Sequence, residues 1–96
     1  MKIIISDKAK RDLFRIYSFV EERSPAAAEK VVARIDRKFG QLTRFPFIGR
    51  ERFSLAPGLR GVVVGTYLIL YAVESDDIVV VRVIDGRMDI DEEFRR

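Results

Sequence analysis

Leu59–Ile84 reads LRGVVVGTYLILYAVESDDIVVVRVI, and this stretch decides the fold. Three runs, Leu59 to Val64, Tyr67 to Val73 and Ile78 to Ile84, are rich in Val, Ile and Tyr, the β-branched and aromatic composition that suits strands. Gly65-Thr66 and Glu74-Ser75-Asp76-Asp77 separate them, and connections this short join antiparallel neighbours. The stretch therefore predicts an antiparallel three-stranded meander. Both faces of its last two strands are apolar, which calls for a cover on each. A helical layer covers one face; something else, a second protein being one candidate, covers the other.

The helical layer lies upstream. Ile3-Ile4-Ile5 is a short β-branched strand, and Ser6-Asp7 follows at once with a capping side chain and an acid in the first turn, where the helix dipole favours it. Ala9, Leu13, Ile16 and Val20 then recur at helical spacing, with Phe14 and Tyr17 on the shoulder of the stripe, as far as Arg23. Ser24-Pro25 restarts the pattern, because proline is pre-organised for the first helical position. Ala28, Val31, Val32, Ile35, Phe39 and Leu42 carry the second stripe until Phe45-Pro46 closes it, the residue before proline being pushed out of the α region. A break this short predicts an antiparallel helical hairpin.

Pro46, Gly49, Pro57 and Gly58 punctuate the loop between hairpin and meander. Its length, about a dozen residues, favours a functional role, and Phe45 and Phe47 are read as plugging the gap between the helix end and the sheet. The tail Asp85 to Arg96 is polar, with Ile90 and Phe94 four apart, and reads as one weak helical turn or a loose end. The class is α+β: an N-terminal strand, then an antiparallel helical hairpin packed on a mainly antiparallel sheet that ends in the meander. Residues 1–96 form a single domain.

Composition narrows the chemistry. Cysteine and histidine are both absent, which excludes disulfide frameworks, thiolate or imidazole metal sites, and Ser-His-Asp or Cys-His catalysis. No apolar run approaches the roughly 20 residues of a membrane span, and Met1–Asp7 is too short for a secretory leader, so a cytoplasmic address and no membrane partner are expected. The net charge of +3 is uneven. Residues 1–48 hold eleven Lys/Arg against six Asp/Glu, and residues 49–96 seven against nine. That balance permits an acidic partner without demanding nucleic acid, and no direct sequence-specific DNA binding is expected.

The candidate site residues are arginines. Arg50 and Arg52 lie in the loop, Arg60 opens the meander, and Arg82 interrupts the run from Ile78 to Ile84. Strand alternation puts Arg82 on the face of Ile78, Val80 and Ile84. Two readings stay open: a structural arginine, paired with an acid on a neighbouring strand or snorkelling off the sheet edge, or a guanidinium fork aimed at a phosphate or a partner carboxylate. Tyr67 and Tyr71 share one strand face and read as core-edge tyrosines. The carboxylates Asp85, Asp89, Asp91, Glu92 and Glu93 match no calcium-loop spacing and read as a solvated tail. Neither a metal nor a cofactor is expected.

The order strand, hairpin, loop, meander comes with particular words. They are SDKAKRDL at Ser6 to Leu13, Ser24-Pro25-Ala26-Ala27-Ala28, Phe45-Pro46 with Gly49-Arg50, Pro57-Gly58-Leu59-Arg60, Tyr67-Leu68-Ile69-Leu70-Tyr71, and Val81-Arg82-Val83-Ile84-Asp85-Gly86-Arg87-Met88-Asp89. Over nearly the whole chain this resembles the ParE branch of the RelE/ParE toxin superfamily. The resemblance implies the toxin of a bacterial type II toxin–antitoxin pair that inhibits DNA gyrase and blocks replication, silenced by a ParD-like antitoxin with an acidic helical tail. Two alternatives stay open: a ribosome-dependent mRNA endoribonuclease of RelE type, and an inert member that binds an antitoxin only. Arg60 and Arg82 match basic positions of the RelE-type site. The family commonly has His where this chain has Asp85, and the stretch after Arg82 lacks Tyr, His and Lys, so no acid/base stands beside the arginines and no residue is assigned as catalytic. Arg60, Arg82, Arg50 and Arg52 are the expected target-binding residues. Leu13, Phe14, Arg15, Tyr17 and Arg34 are the expected antitoxin-binding ones, their apolar and basic side chains suiting an acidic amphipathic helix.

Overall fold

The computed structural model describes residues 1–96. Its elements are β1 (Lys2–Ile5), α1 (Asp7–Arg23), α2 (Pro25–Arg44), β2 (Arg50–Glu51), β3 (Arg60–Val64), β4 (Tyr67–Glu74), β5 (Asp77–Asp85) and α3 (Ile90–Phe94). The helix starts follow from their caps. Ser6 Oγ accepts from the Ala9 amide at 3.1 Å and donates to the Val81 carbonyl at 2.8 Å, so one hydroxyl caps α1 and ties it to β5. Ser24 Oγ accepts from the Ala27 amide at 3.2 Å, with Pro25 in the first turn of α2.

The strands form one sheet in the order β1-β5-β4-β3-β2. β1 runs parallel to β5, and the other pairs are antiparallel. The meander and hairpin are where the sequence pattern puts them. β2 is an addition, because Arg50 and Glu51 of the supposed loop pair with Gly61 and Arg60. One side of the sheet carries the main core, in which Ile35, Phe39 and Leu42 of α2 and Ala9 of α1 pack on Val62, Val64, Ile69, Tyr71, Ile78, Val80 and Val83.

Much of the second face is covered by the chain itself. Leu59, Leu68, Leu70 and Ile84 lie beneath Leu55 and Ala56 of the β2–β3 connection and Ile90 and Phe94 of α3. The tail is therefore a helical turn with a packing duty, capped by Asp89, whose side chain accepts from the Glu92 amide. Three of its other acids are occupied too: Asp85 pairs with Arg87, and Glu92 and Glu93 with Arg96.

Arg82 departs from the alternation argument. A bulge between β4 and β5 pairs Val80 with Tyr71 and Arg82 with Leu70, leaving Val81 as the extra residue. An extra residue resets which side chains share a face. Ile78 and Val80 stay in the main core, Val83 joins them, and Ile84 turns to the other face. No helix of the protein is long and apolar enough to cross a membrane.

Candidate functional site

β1 ends at Ile5, opposite Val80, so the outer edge of β5 runs on without a strand neighbour. Asp12 of α1 occupies the place a strand would take. Its Oδ2 accepts from the Val83 amide at 2.9 Å and from Arg82 Nε at 2.7 Å, and its Oδ1 accepts from Arg82 Nη2 at 3.0 Å. Arg82 Nη1 then donates to the carbonyls of Glu93 at 2.7 Å and Phe94 at 3.2 Å. The two residues are 4% and 5% exposed, so one ion pair holds α1, β5 and the C-terminal turn together. Hydrogen bonding to Asp12 raises the guanidinium above its ordinary value despite the desolvation that opposes it. The ion pair foreseen for Arg82 exists, with its acid on a helix instead of a neighbouring strand.

The sequence carried a signal for this pair. Asp12 lies three residues after Ala9 and four before Ile16, within the arc of the α1 apolar stripe. An acid in one apolar row and an arginine in another are complementary misfits, and burial requires each to find the other.

Arg60 has a different setting. Its Nη1 donates to the Gly49 carbonyl at 3.0 Å and, more weakly, to that of Phe47 at 3.4 Å, and its Nη2 lies 3.8 Å from Glu51. The guanidinium carbon sits 5.1 Å from the Phe47 ring centroid and 6.0 Å from that of Phe53, within cation–π range of both. Tyr71 fixes the same loop from beneath. Its hydroxyl donates to the Pro46 carbonyl at 2.8 Å and accepts from the Gly49 amide at 2.9 Å. A Cβ on Gly49 would stand 2.6 Å from that oxygen, so only glycine fits there. Burial raises the Tyr71 hydroxyl above its ordinary value.

The corner between helix and sheet is thus filled by Tyr71, which is fully buried, and not by the phenylalanines. Phe45 and Phe47 are 55% and 63% exposed, and Ile48 and Phe53 are exposed as well. Phe47, Arg60 and Phe53 form an ordered aromatic platform on the protein surface. Arg50 lies exposed in the adjoining β2, while Arg52 is half-buried with its Nε unpartnered. Arg50, Arg52 and Arg60 therefore share the β2–β3 edge of the sheet, with Arg60 on the face of Glu51 and Tyr71 and Arg50 and Arg52 on that of Gly61. Arg82 lies apart from them on β5, two strands from β3.

The residues expected to meet an antitoxin divide in the same way. Leu13 and Tyr17 line a groove of about 150 Å³ with Ile16, Val31, Ile35 and Phe39. Phe14, 74% exposed, and Arg15 lie beside it on α1 with Lys10 and Arg11. Arg34 is elsewhere, its guanidinium over Gly65 in the β3–β4 turn.

With this geometry in view, comparisons with known proteins agree among themselves. The family model described as ParE toxin of type II toxin–antitoxin system, parDE, matches residues 3–90. The chain is 34% identical to Toxin ParE3 of Caulobacter vibrioides over 90 residues, which cover 93% of this chain and 90% of the relative. A solved chain described as the chromosomal ParDE system from P. aeruginosa superimposes with a TM-score of 0.74 at 26% identity, covering 88% of this chain and 95% of that one.

Proposed function

The chain belongs to the ParE toxin family of type II toxin–antitoxin systems, and from that premise we propose that it acts in the cytoplasm by inhibiting DNA gyrase, without catalysis of its own. A ParD-like antitoxin with an acidic helical tail neutralises it. The observation that carries the reading is the fate of the two arginines a RelE-type nuclease would need. Arg82 spends its guanidinium on Asp12 and two main-chain carbonyls, and Arg60 on loop carbonyls between two rings. A guanidinium already bonded inside the fold gives little stabilisation to a cleaving phosphate, since stabilisation needs donors aimed at the developing charge.

The platform suits a protein target. Solvent-facing aromatics around an arginine have the composition of interface hot spots, and the Tyr71 and Arg60 bonds hold the loop ready, so docking costs little ordering entropy. Target contact is accordingly assigned to Phe47, Phe53, Arg50 and Arg60, with Arg52 behind them and Arg82 as the residue that holds the opposite edge in shape. The groove between α1 and α2, apolar but for Asp36, suits the apolar face of the antitoxin helix, and the Lys10, Arg11 and Arg15 surface of α1 suits its acidic residues.

The test is supercoiling of relaxed plasmid by DNA gyrase with the purified chain added. Lost supercoiling with trapped linear DNA is expected. An unaffected gyrase at micromolar toxin, together with a cleaved transcript in a translation extract, would instead assign the chain to the nuclease branch. No effect in either assay, and unimpaired growth on induction, would leave an inert antitoxin binder.

A further inference from the structure

α2 carries a second polar face that the proposed function does not use. At 3.6 residues per turn, Lys30, Arg34, Arg37, Lys38 and Arg44 fall within about a third of the helix circumference, and Gln41 lies in their midst. The core residues Ala28, Ile35, Phe39 and Leu42 occupy a neighbouring arc, and the helix's two acids, Glu29 and Asp36, lie beyond it, away from the cations. No residue of this cationic row takes part in an ion pair. Arg34, Arg37, Lys38 and Gln41 line a concavity of about 350 Å³ together with Val63, Val64 and Gly65, and no carboxylate enters it.

A second basic concavity makes a contrast. Lys8, Arg11, Arg15 and Arg96 surround a hollow that also holds Asp12 and Glu93, so its charge is partly cancelled from within. The cations of the α2 face are uncompensated; those of the α1 surface lined by Lys10, Arg11 and Arg15 are too, but that surface is built around the exposed Phe14, whereas the α2 concavity sets four polar side chains in a row. The bare Gly65, at φ +60°, lets the Arg34 guanidinium lie 3.4 Å from where a side chain would begin, which keeps the fork low against the β3–β4 turn and open to solvent.

We infer that this face binds the phosphodiester backbone of double-stranded DNA, independently of base sequence. The row from Lys30 to Arg44 spans about 21 Å with a cation or amide on nearly every turn, a regular linear array that fits the regular charge of a duplex, about one per 1.7 Å of axis. Arginine forks match phosphate oxygens. The apolar lining is confined to Val63 and Val64, less than a protein interface core requires and enough for a backbone contact that positions without reading sequence. The inference stands whether or not gyrase is the target.

The experiment uses the full chain and a fluorescently labelled duplex of arbitrary sequence, about 20 base pairs long, followed by anisotropy at several salt concentrations. Four phosphate contacts give a slope of log K against log salt of about −3 to −4. Arg34→Glu with Arg37→Glu, both exposed and unpaired, weakens binding more than tenfold and flattens the slope to about −2 or less, with the circular dichroism unchanged. Arg11→Glu with Arg15→Glu changes affinity less than threefold. Absence of binding at low salt, or equal losses from the two pairs of reversals, would overturn the inference. So would tighter binding of a glutamate-rich peptide than of the duplex, which would give the face to an acidic protein.

Discussion

Arg82 and Arg60 sit on β5 and β3 of one sheet, and both donate to main-chain carbonyls, yet the first is buried within an ion pair while the second lies between exposed rings. The difference is what surrounds the guanidinium. At β5 an acid on α1 meets it, solvent is excluded, and the charge becomes a fastener. At β3 aromatic faces meet it, solvent reaches them, and the same group organises a surface. The residue type sets what an arginine can do, and the neighbouring elements select which of these it does.

The largest effect comes from breaking the fastener. Asp12→Ala leaves Arg82 buried without its carboxylate, and urea denaturation is expected to show a loss of about 3–5 kcal/mol. Replacing both, Asp12→Leu with Arg82→Met, costs much less, because two apolar side chains of similar size need no partner. A loss under about 1 kcal/mol for Asp12→Ala would mean that the pair fastens nothing. Next is the platform's foundation. Gly49→Ala drives a methyl into the Tyr71 hydroxyl, and a loss of about 1–3 kcal/mol is expected in the same assay, the usual cost of overpacking.

The platform itself separates function from stability. Phe47→Ala with Phe53→Ala should leave stability within about 0.5 kcal/mol, as exposed substitutions usually do, while weakening gyrase inhibition by about tenfold. If inhibition survives, the target surface lies elsewhere and the contrast between the two arginines is structural only. The smallest effect is on pH dependence. The Tyr71 hydroxyl is raised in the folded chain by burial, so its contribution to stability is complete below the unfolded tyrosine value of about 10 and is lost as pH rises through the folded value. Melting temperatures should therefore decline above pH 10 in the natural chain and decline less in Tyr71→Phe, from a lower starting point. Equal slopes would show that the hydroxyl titrates without reference to the fold.

Much of the architecture was legible because it is local. Ser6 and Ser24-Pro25 announce both helix starts, the apolar stripes fix their faces, and Gly65-Thr66 with Ser75-Asp76 turn the meander. The candidate site was legible only as a set of residue types. Arg82 stood out as a charge among apolar neighbours and Arg50, Arg52 and Arg60 as cations of the loop and the opening of the meander, but their grouping did not, since β4 lies between Arg60 on β3 and Arg82 on β5. Phe47 was hidden for a related reason. An aromatic residue in a loop reads as packing, and here Tyr71 took the corner that Phe45 and Phe47 would have filled.

By itself the sequence determined the order of elements, their caps and periods, the absence of histidine and cysteine chemistry, and a word pattern specific enough for the family. Those properties depend on neighbours within a turn or a strand, where backbone sterics and side-chain spacing act directly. The tertiary structure alone decided that Asp12 meets Arg82 seventy positions away, that a bulge at Val81 resets the faces of β5, and that the chain's own C-terminal turn covers part of the second side of the sheet. Each of these depends on which elements come to lie side by side, and burial then forces every charge and every apolar face to find whatever partner that arrangement supplies.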